Sequence, residues 1–212
     1  MLSLIRWILL FGLLAAAPLR AQQPVILVFG DSLGAGYGLP QGRSWVDLLQ
    51  RRLDTERLDY RVVNASISGE TTLGGRNRLA AALEQHRPRI VVLELGSNDG
   101  LRGQPLNPMR DNLVAMTKAS RAAGARVLVI GMRIPPNYGP KYTREFHAAF
   151  ADVARSQRTA LVPFLLEGFA DQRDLFQPDG IHPSEQAQPL ILETVWKGLR
   201  PLLTPRLPQQ PQ

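Results

Sequence analysis

Three side chains in this sequence form a set that could break an acyl bond. Ser32 lies in FGDSLGAG (29–36), flanked by glycines and preceded by an apolar run. Asp179 and His182 lie three residues apart in QPDGIHP (177–183). A serine hydroxyl attacks a carbonyl effectively only when a neighbouring base takes its proton. Imidazole suits that task, and a carboxylate on its second nitrogen fixes the tautomer and stabilises the imidazolium. Of the three histidines, His86 stands at a helix end before the third strand, on the rim opposite Ser32, and His147 falls inside a helical stretch. His182 remains as the base, by elimination and by position. Pro178-Asp179-Gly180 forms turns readily, which leaves Asp179 two readings: partner of the imidazole, or acceptor of an Asx turn in its own loop. A metal reading of D-x-x-H lacks the second histidine pair, cysteines or acidic cluster that such a site requires, so no metal is expected.

By letter, Gly30-Asp31-Ser32-Leu33-Gly34 also fits the G-x-S-x-G nucleophile elbow. The order along the chain argues against that elbow. Its nucleophile follows several strands, with the acid and histidine well separated, whereas Ser32 follows the first strand and Asp179 and His182 share one turn.

The elements that must position these residues can be read from hydrophobic patterning. Five short apolar runs, 25–30, 60–65, 90–96, 126–132 and 159–165, are continuous instead of alternating. That is the pattern of strands covered on both faces. Between and after them, 44–54, 73–85, 109–124, 144–157 and 189–199 have helical spacing. Strand–helix alternation predicts one α/β domain over 22–200, a three-layer α/β/α sandwich around a five-stranded parallel sheet. Ligands of such sheets sit beyond the carboxyl ends of the strands. Ser32, Gly69 and Asn98 are therefore expected on one rim, from three loops.

Taken together, four segments resemble the GDSL, or SGNH, family of esterases and lipases. They are FGDSLGAG with Ser32, VVNASISGETT with Gly69, LELGSNDGLRG with Asn98, and QPDGIHP with Asp179 and His182. NASISGETT, NDGLRG, PPNYG and DGIHP resemble one branch of it, the exported bacterial thioesterase I, lysophospholipase and arylesterase type. The resemblance spans about residues 24–200. It implies a flavodoxin-like sheet and a serine esterase working through an acyl-serine intermediate. Ser32, Asp179 and His182 would be its catalytic residues. The backbone N–H groups of Ser32 and Gly69 and the side-chain amide of Asn98 would form the oxyanion hole. No cofactor is implied. Glycine at 69 is expected because a close backbone approach tolerates no Cβ. One departure stands out: Ser97 replaces the second glycine of the usual Gly-Gly-Asn-Asp, which bears on substrate preference. Leu101, Leu106, Ile134, Pro135 and Tyr138 are candidates to line an acyl groove, while Asp31, Asn64 and Asp99 are expected to brace loop backbone.

The substrates this implies are short-to-medium acyl esters, aryl esters included, with thioesters and lysophospholipids in range. A carbohydrate O-acetylesterase would use the same residues on a smaller acyl group. A non-catalytic flavodoxin-like binding module is the third reading, but the glycines after the first strand miss nucleotide-cradle spacing. The 25 basic and 18 acidic residues give a net charge of +7, yet the basic residues are scattered without interleaved aromatics. Nucleic acid is therefore not expected as a partner. At the start, MLSLIR, the apolar run 7–17 and APLRAQQ have the layout of a secretory signal peptide (1–21) cut after Ala21, the alternative being an uncleaved anchor. Export to the periplasm, a monomer and at most peripheral membrane contact follow as expectations. With no cysteine in the chain, stability rests on the core alone. Residues 201–212, rich in proline and glutamine, are expected to be a disordered tail.

Overall fold

The structure is a computed structural model, and it describes residues 23–203. The expected signal peptide and its cut, and residues 204–212 of the expected tail, lie outside them.

Five parallel strands form one sheet: β1 (Val25–Gly30), β2 (Arg61–Asn64), β3 (Ile90–Glu94), β4 (Arg126–Ile130) and β5 (Ala160–Val162), in the order β2-β1-β3-β4-β5. Every residue of β1 and β3 is buried, as their continuous apolar runs require, whereas the edge strand β2 is partly exposed. The α-helices are α1 (Ser32–Ala35), α2 (Trp45–Thr55), α3 (Thr72–His86), α4 (Ser97–Leu101), α5 (Leu106–Ala122), α6 (Pro140–Gln157) and α7 (Gln188–Leu203). Helix α5 packs against α3 and α6, and α2 packs against α7, which gives the two outer layers. Large apolar side chains, among them Phe29, Trp45, Phe146 and Phe150, fill the space between.

Two findings matter for the site. The strand order reverses between β1 and β3, so the loops leaving these neighbours diverge and open a crevice at their carboxyl ends. Ser32 leaves β1 there and Asn98 leaves β3. The pairing of β1 with β3 also sets Gly30 directly beside Glu94. At the other end of the chain, α7 runs through Pro201 to Leu203, so residues 201–203 belong to the last helical turn and not to a tail.

Candidate active site

Ser32 is the first residue of α1, and Asp31 caps that turn by accepting the Leu33 N–H at 3.1 Å. Asp179 and His182 come from the loop before α7. There Asp179 Oδ1 accepts the backbone N–H of Ile181 (2.9 Å) and of His182 (3.0 Å). Its Oδ2 is 2.7 Å from His182 Nδ1. The two sequence readings of Asp179 are thus both met, one by each oxygen. Burial pushes the Asp179 carboxyl upward, but the His182 and Ile181 amides and the His182 ring outweigh it and hold its pKa down to about 2. An ionised carboxylate only accepts hydrogen bonds, so Nδ1 carries the ring hydrogen and Nε2 presents its lone pair. The Ser32 hydroxyl donates to that Nε2 across 2.9 Å.

The loop holding His182 is fastened to the loop after α1. Gln177 Nε2 donates to the carbonyls of Tyr37 (2.7 Å) and Pro183 (3.2 Å), and Gln177 N–H donates to the His182 carbonyl. The Tyr37 ring lies 4.5 Å, centroid to centroid, from the imidazole.

Gly69 and Asn98 approach the same crevice. Among the described residues, no acceptor takes the backbone N–H of Ser32 or of Gly69. The Gly69 position needs glycine for its backbone conformation, φ +79°, because an added Cβ would touch no protein atom. The positive φ is a conformational reason for glycine here, beside the expected close approach of the backbone to the oxyanion. Asn98 Nδ2 donates to the Glu70 carbonyl (3.0 Å) and to Asp31 Oδ2 (3.3 Å), which ties the Asn98 turn to both other loops. Asn64 donates to the Gly34 carbonyl and Asp99 accepts from Thr72, the bracing expected of them.

The residues expected to line a groove divide. Ile134 is 9 % exposed and packs in the core beside Gly100, and Leu106 is buried too, so neither lines an open groove. Leu101 and Tyr138 are half-buried and joined, the tyrosine hydroxyl donating to the Leu101 carbonyl at 2.7 Å; Pro135 is exposed. Exposed apolar side chains stand elsewhere. Among the described residues, four of the five large ones, Tyr37, Ile67, Leu73 and Ile181, are on the segments that carry Ser32, Gly69 and His182. Ser97 is buried, so its side chain cannot narrow an open cleft directly. A small void of about 10 Å³ lies beside Ser32 and His182, lined by Tyr37, Leu39 and Ile191 and not by Gly69 or Asn98. A much larger cavity, about 580 Å³, lies at the opposite end of the sheet. Two of its four arginines, Arg121 and Arg126, donate to carbonyls at the ends of α6 and α7.

Two further residues escaped the sequence reading. Arg78 pairs with Glu70 (2.5 Å), donates to the Ala65 carbonyl (2.7 Å) and lies 3.8 Å over the Phe29 ring, bracing the loop that carries Gly69. Glu94 is buried at the end of β3, and its Oε2 accepts the backbone N–H of Asp31 (3.2 Å) and Gly34 (3.1 Å). Burial and then the charge of Asp31 push the Glu94 carboxyl well above the ordinary range. Burial raises Asp31 to about 6, against the opposing pull of the Leu33 N–H, Ser97, Glu94 and His182. A charged letter inside the apolar run IVVLELG was the signal available, since a buried carboxyl demands partners.

Among the described residues, no group of three or more His, Cys, Asp or Glu side chains is placed to hold a metal ion. A hydroxyl, imidazole and carboxylate in hydrogen-bonded series at the switch point of a parallel sheet define a serine hydrolase of the α/β/α type. The chain belongs to the GDSL-like Lipase/Acylhydrolase family, whose model matches residues 28–189. It is 50 % identical over 200 residues to Esterase TesA of Pseudomonas aeruginosa, an alignment covering 93 % of this chain and all of that one. It is 39 % identical over 202 residues to Thioesterase 1/protease 1/lysophospholipase L1 of Escherichia coli K12, covering 95 % and 96 %. The crystal structure of the psychrotrophic esterase EstA from Pseudoalteromonas sp., inhibited by monoethylphosphonate, superposes with a TM-score of 0.81 at 44 % identity, covering 84 % and 98 %. The chain is a carboxylic ester hydrolase.

Proposed function

We propose that Ser32 is the nucleophile of this hydrolase, His182 its general base and Asp179 the group that orients the base and stabilises the imidazolium it becomes. The unbroken series from Asp179 Oδ2 through the imidazole to Ser32 Oγ, at 2.7 and 2.9 Å, carries the reading. As Oγ attacks the acyl carbonyl, its proton passes to Nε2. The oxyanion takes the N–H of Ser32, the N–H of Gly69 and one hydrogen of Asn98 Nδ2. The hydrogen now on Asp31 is the one shared, because its 3.3 Å contact is the weaker of the two. Collapse of the adduct expels the alcohol or thiol, which takes the proton from His182 and leaves an acyl-serine. Water, deprotonated by His182, then attacks the ester carbon and releases the acid while the proton returns to Oγ.

The exposed Tyr37, Ile67, Leu73 and Ile181 around this crevice support apolar acyl or aryl esters as substrates. The names of the relatives extend the reading to acyl thioesters and lysophospholipids. The amino-terminal leader pattern supports export to the periplasm. A fluorophosphonate probe should label the wild-type chain on the Ser32 peptide, and Ser32→Ala should lose both labelling and nitrophenyl ester hydrolysis. Full hydrolysis by Ser32→Ala would overturn the assignment.

Nitrophenyl esters of increasing chain length test acyl size, since activity confined to acetate would select a carbohydrate O-acetylesterase using the same residues on a smaller acyl group.

A further inference from the structure

Beneath Ser32, two acid side chains meet where only one charge can be accommodated. Glu94 Oε2 is committed to the N–H groups of Asp31 and Gly34, on either side of the Ser32 turn. Its Oε1 is fully buried and meets no donor. Asp31 is also fully buried; its Oδ1 accepts from Leu33 and its Oδ2 from Asn98. The Glu94 carboxyl reaches the Asp31 backbone, so the two buried acid groups adjoin, and an ionised Glu94 would leave its donorless Oε1 as an uncompensated buried charge. Asp31 is the charged group facing Glu94, and each of its oxygens has a donor, Leu33 or Asn98, whereas Glu94 Oε1 has none. The missing hydrogen therefore belongs on Glu94, and the negative charge on Asp31, nearer the imidazole.

The packing leaves little freedom for any other arrangement. A Cβ added at Gly30 would fall 2.3 Å from Glu94 Oε2, and one at Gly34 would fall 3.1 Å from it. Gly30 thus makes room for this carboxyl, while Gly34 makes room first for the Ser66 hydroxyl, 2.4 Å from such a Cβ. The same pair reaches both partners of the reaction: backbone bonds to Asp31 and Gly34 fix the turn that presents Ser32, and Asp31 holds the amide of Asn98.

We propose that Glu94 is a positioning residue, kept as a neutral carboxylic acid that donates from Oε1 to the Asp31 carboxylate and so locks the Ser32 turn to Asn98. The proposal rests on the nucleophile assignment above. Loss of the Glu94 proton would set two anions against each other, release Asp31 from β3 and let the Ser32 N–H and the Asn98 amide drift from the position of the oxyanion.

Three variants and two readouts test it. Glu94→Gln keeps an oxygen for the two N–H groups and gains an amide donor for Asp31. It should fold, retain kcat within about threefold at neutral pH, and hold that kcat at alkaline pH where wild type declines. Glu94→Ala should lose on the order of 100-fold in kcat with little change in KM, as for removal of one oxyanion donor. In the infrared, wild type minus Glu94→Gln should contain the carbonyl stretch of a neutral carboxylic acid near pH 7. Three results would each overturn the proposal: absence of that band, Glu94→Gln as impaired as Glu94→Ala, or an alkaline limb that Glu94→Gln leaves unchanged. Ser32→Ala run alongside separates this from failure of the nucleophile assignment, since only the latter leaves that variant active and labelled.

Discussion

Asp179 grips His182 twice within one turn: Oδ2 holds the ring Nδ1 at 2.7 Å, and Oδ1 holds the backbone N–H of the same residue at 3.0 Å. The carboxylate therefore sets both the orientation of the imidazole and the place of its Cα. Neither contact depends on a distant segment, so the pair forms whenever residues 179–182 adopt their turn.

Replacing that carboxylate tests what its charge contributes. Asp179→Asn should lower kcat by roughly 10³- to 10⁴-fold, the effect of presenting the wrong tautomer to the nucleophile. Stability should follow the proton balance. The folded-state pKa of Asp179 is about 2, below its ordinary 3.8, so the folded chain binds fewer protons than the unfolded chain between those values. The contribution is present above pH 3.8 and is lost as pH falls through about 2. The melting-temperature difference between wild type and Asp179→Asn should accordingly hold level above about pH 4 and close towards pH 2. A gap that closed only near neutrality would contradict the assignment.

Gly69→Ala separates backbone strain from steric exclusion. Its Cβ would meet no protein atom, but φ +79° costs a non-glycine residue about 1–2 kcal/mol. A denaturant melt should show that loss. Relaxation of the strain would turn the Gly69 N–H away from the oxyanion, with kcat falling up to about 100-fold and KM little changed. Unchanged stability would mean that the turn adapts without strain.

Gln177→Leu removes the side-chain bonds to Tyr37 and Pro183 while keeping the backbone bond to His182. Stability should change by about 1 kcal/mol, the net worth of such bonds. Turnover should fall about tenfold through a less populated Ser32–His182 hydrogen bond. Equal kcat in steady-state assays of the two proteins would show that the loop holds its place without this fastening.

Most of the frame was legible because continuous apolar runs have one explanation in an α/β chain, and β1 coincides with its run. Helix starts were read late. Helix α5 begins at Leu106 and α6 at Pro140, ahead of the expected 109 and 144, since proline is tolerated in a first turn and masks it. Helices α1 and α4, four and five residues long, are too short to show a period. Ser32, Asp179 and His182 could be chosen from types, order and turn chemistry. Ile134 was misread because loop position suggested exposure, whereas the core reaches up beneath α4. Glu94 and Arg78 were invisible as partners because their contacts join segments 60 and 13 residues away, set by strand register and helix packing.

The tight turn shared by acid and base also decides how this enzyme can be disturbed. Both sit on one turn, and a hydrogen bond of 2.9 Å, bridging 150 residues of sequence, joins that turn to the hydroxyl beside the Gln177 bond to the Tyr37 loop. Displacing the loop would break the bond to the hydroxyl without unsetting the tautomer, because the bond from Asp179 to Nδ1 lies within the turn. Inactivation by this route would be a mechanical disengagement, reversed in full when the loop swings home.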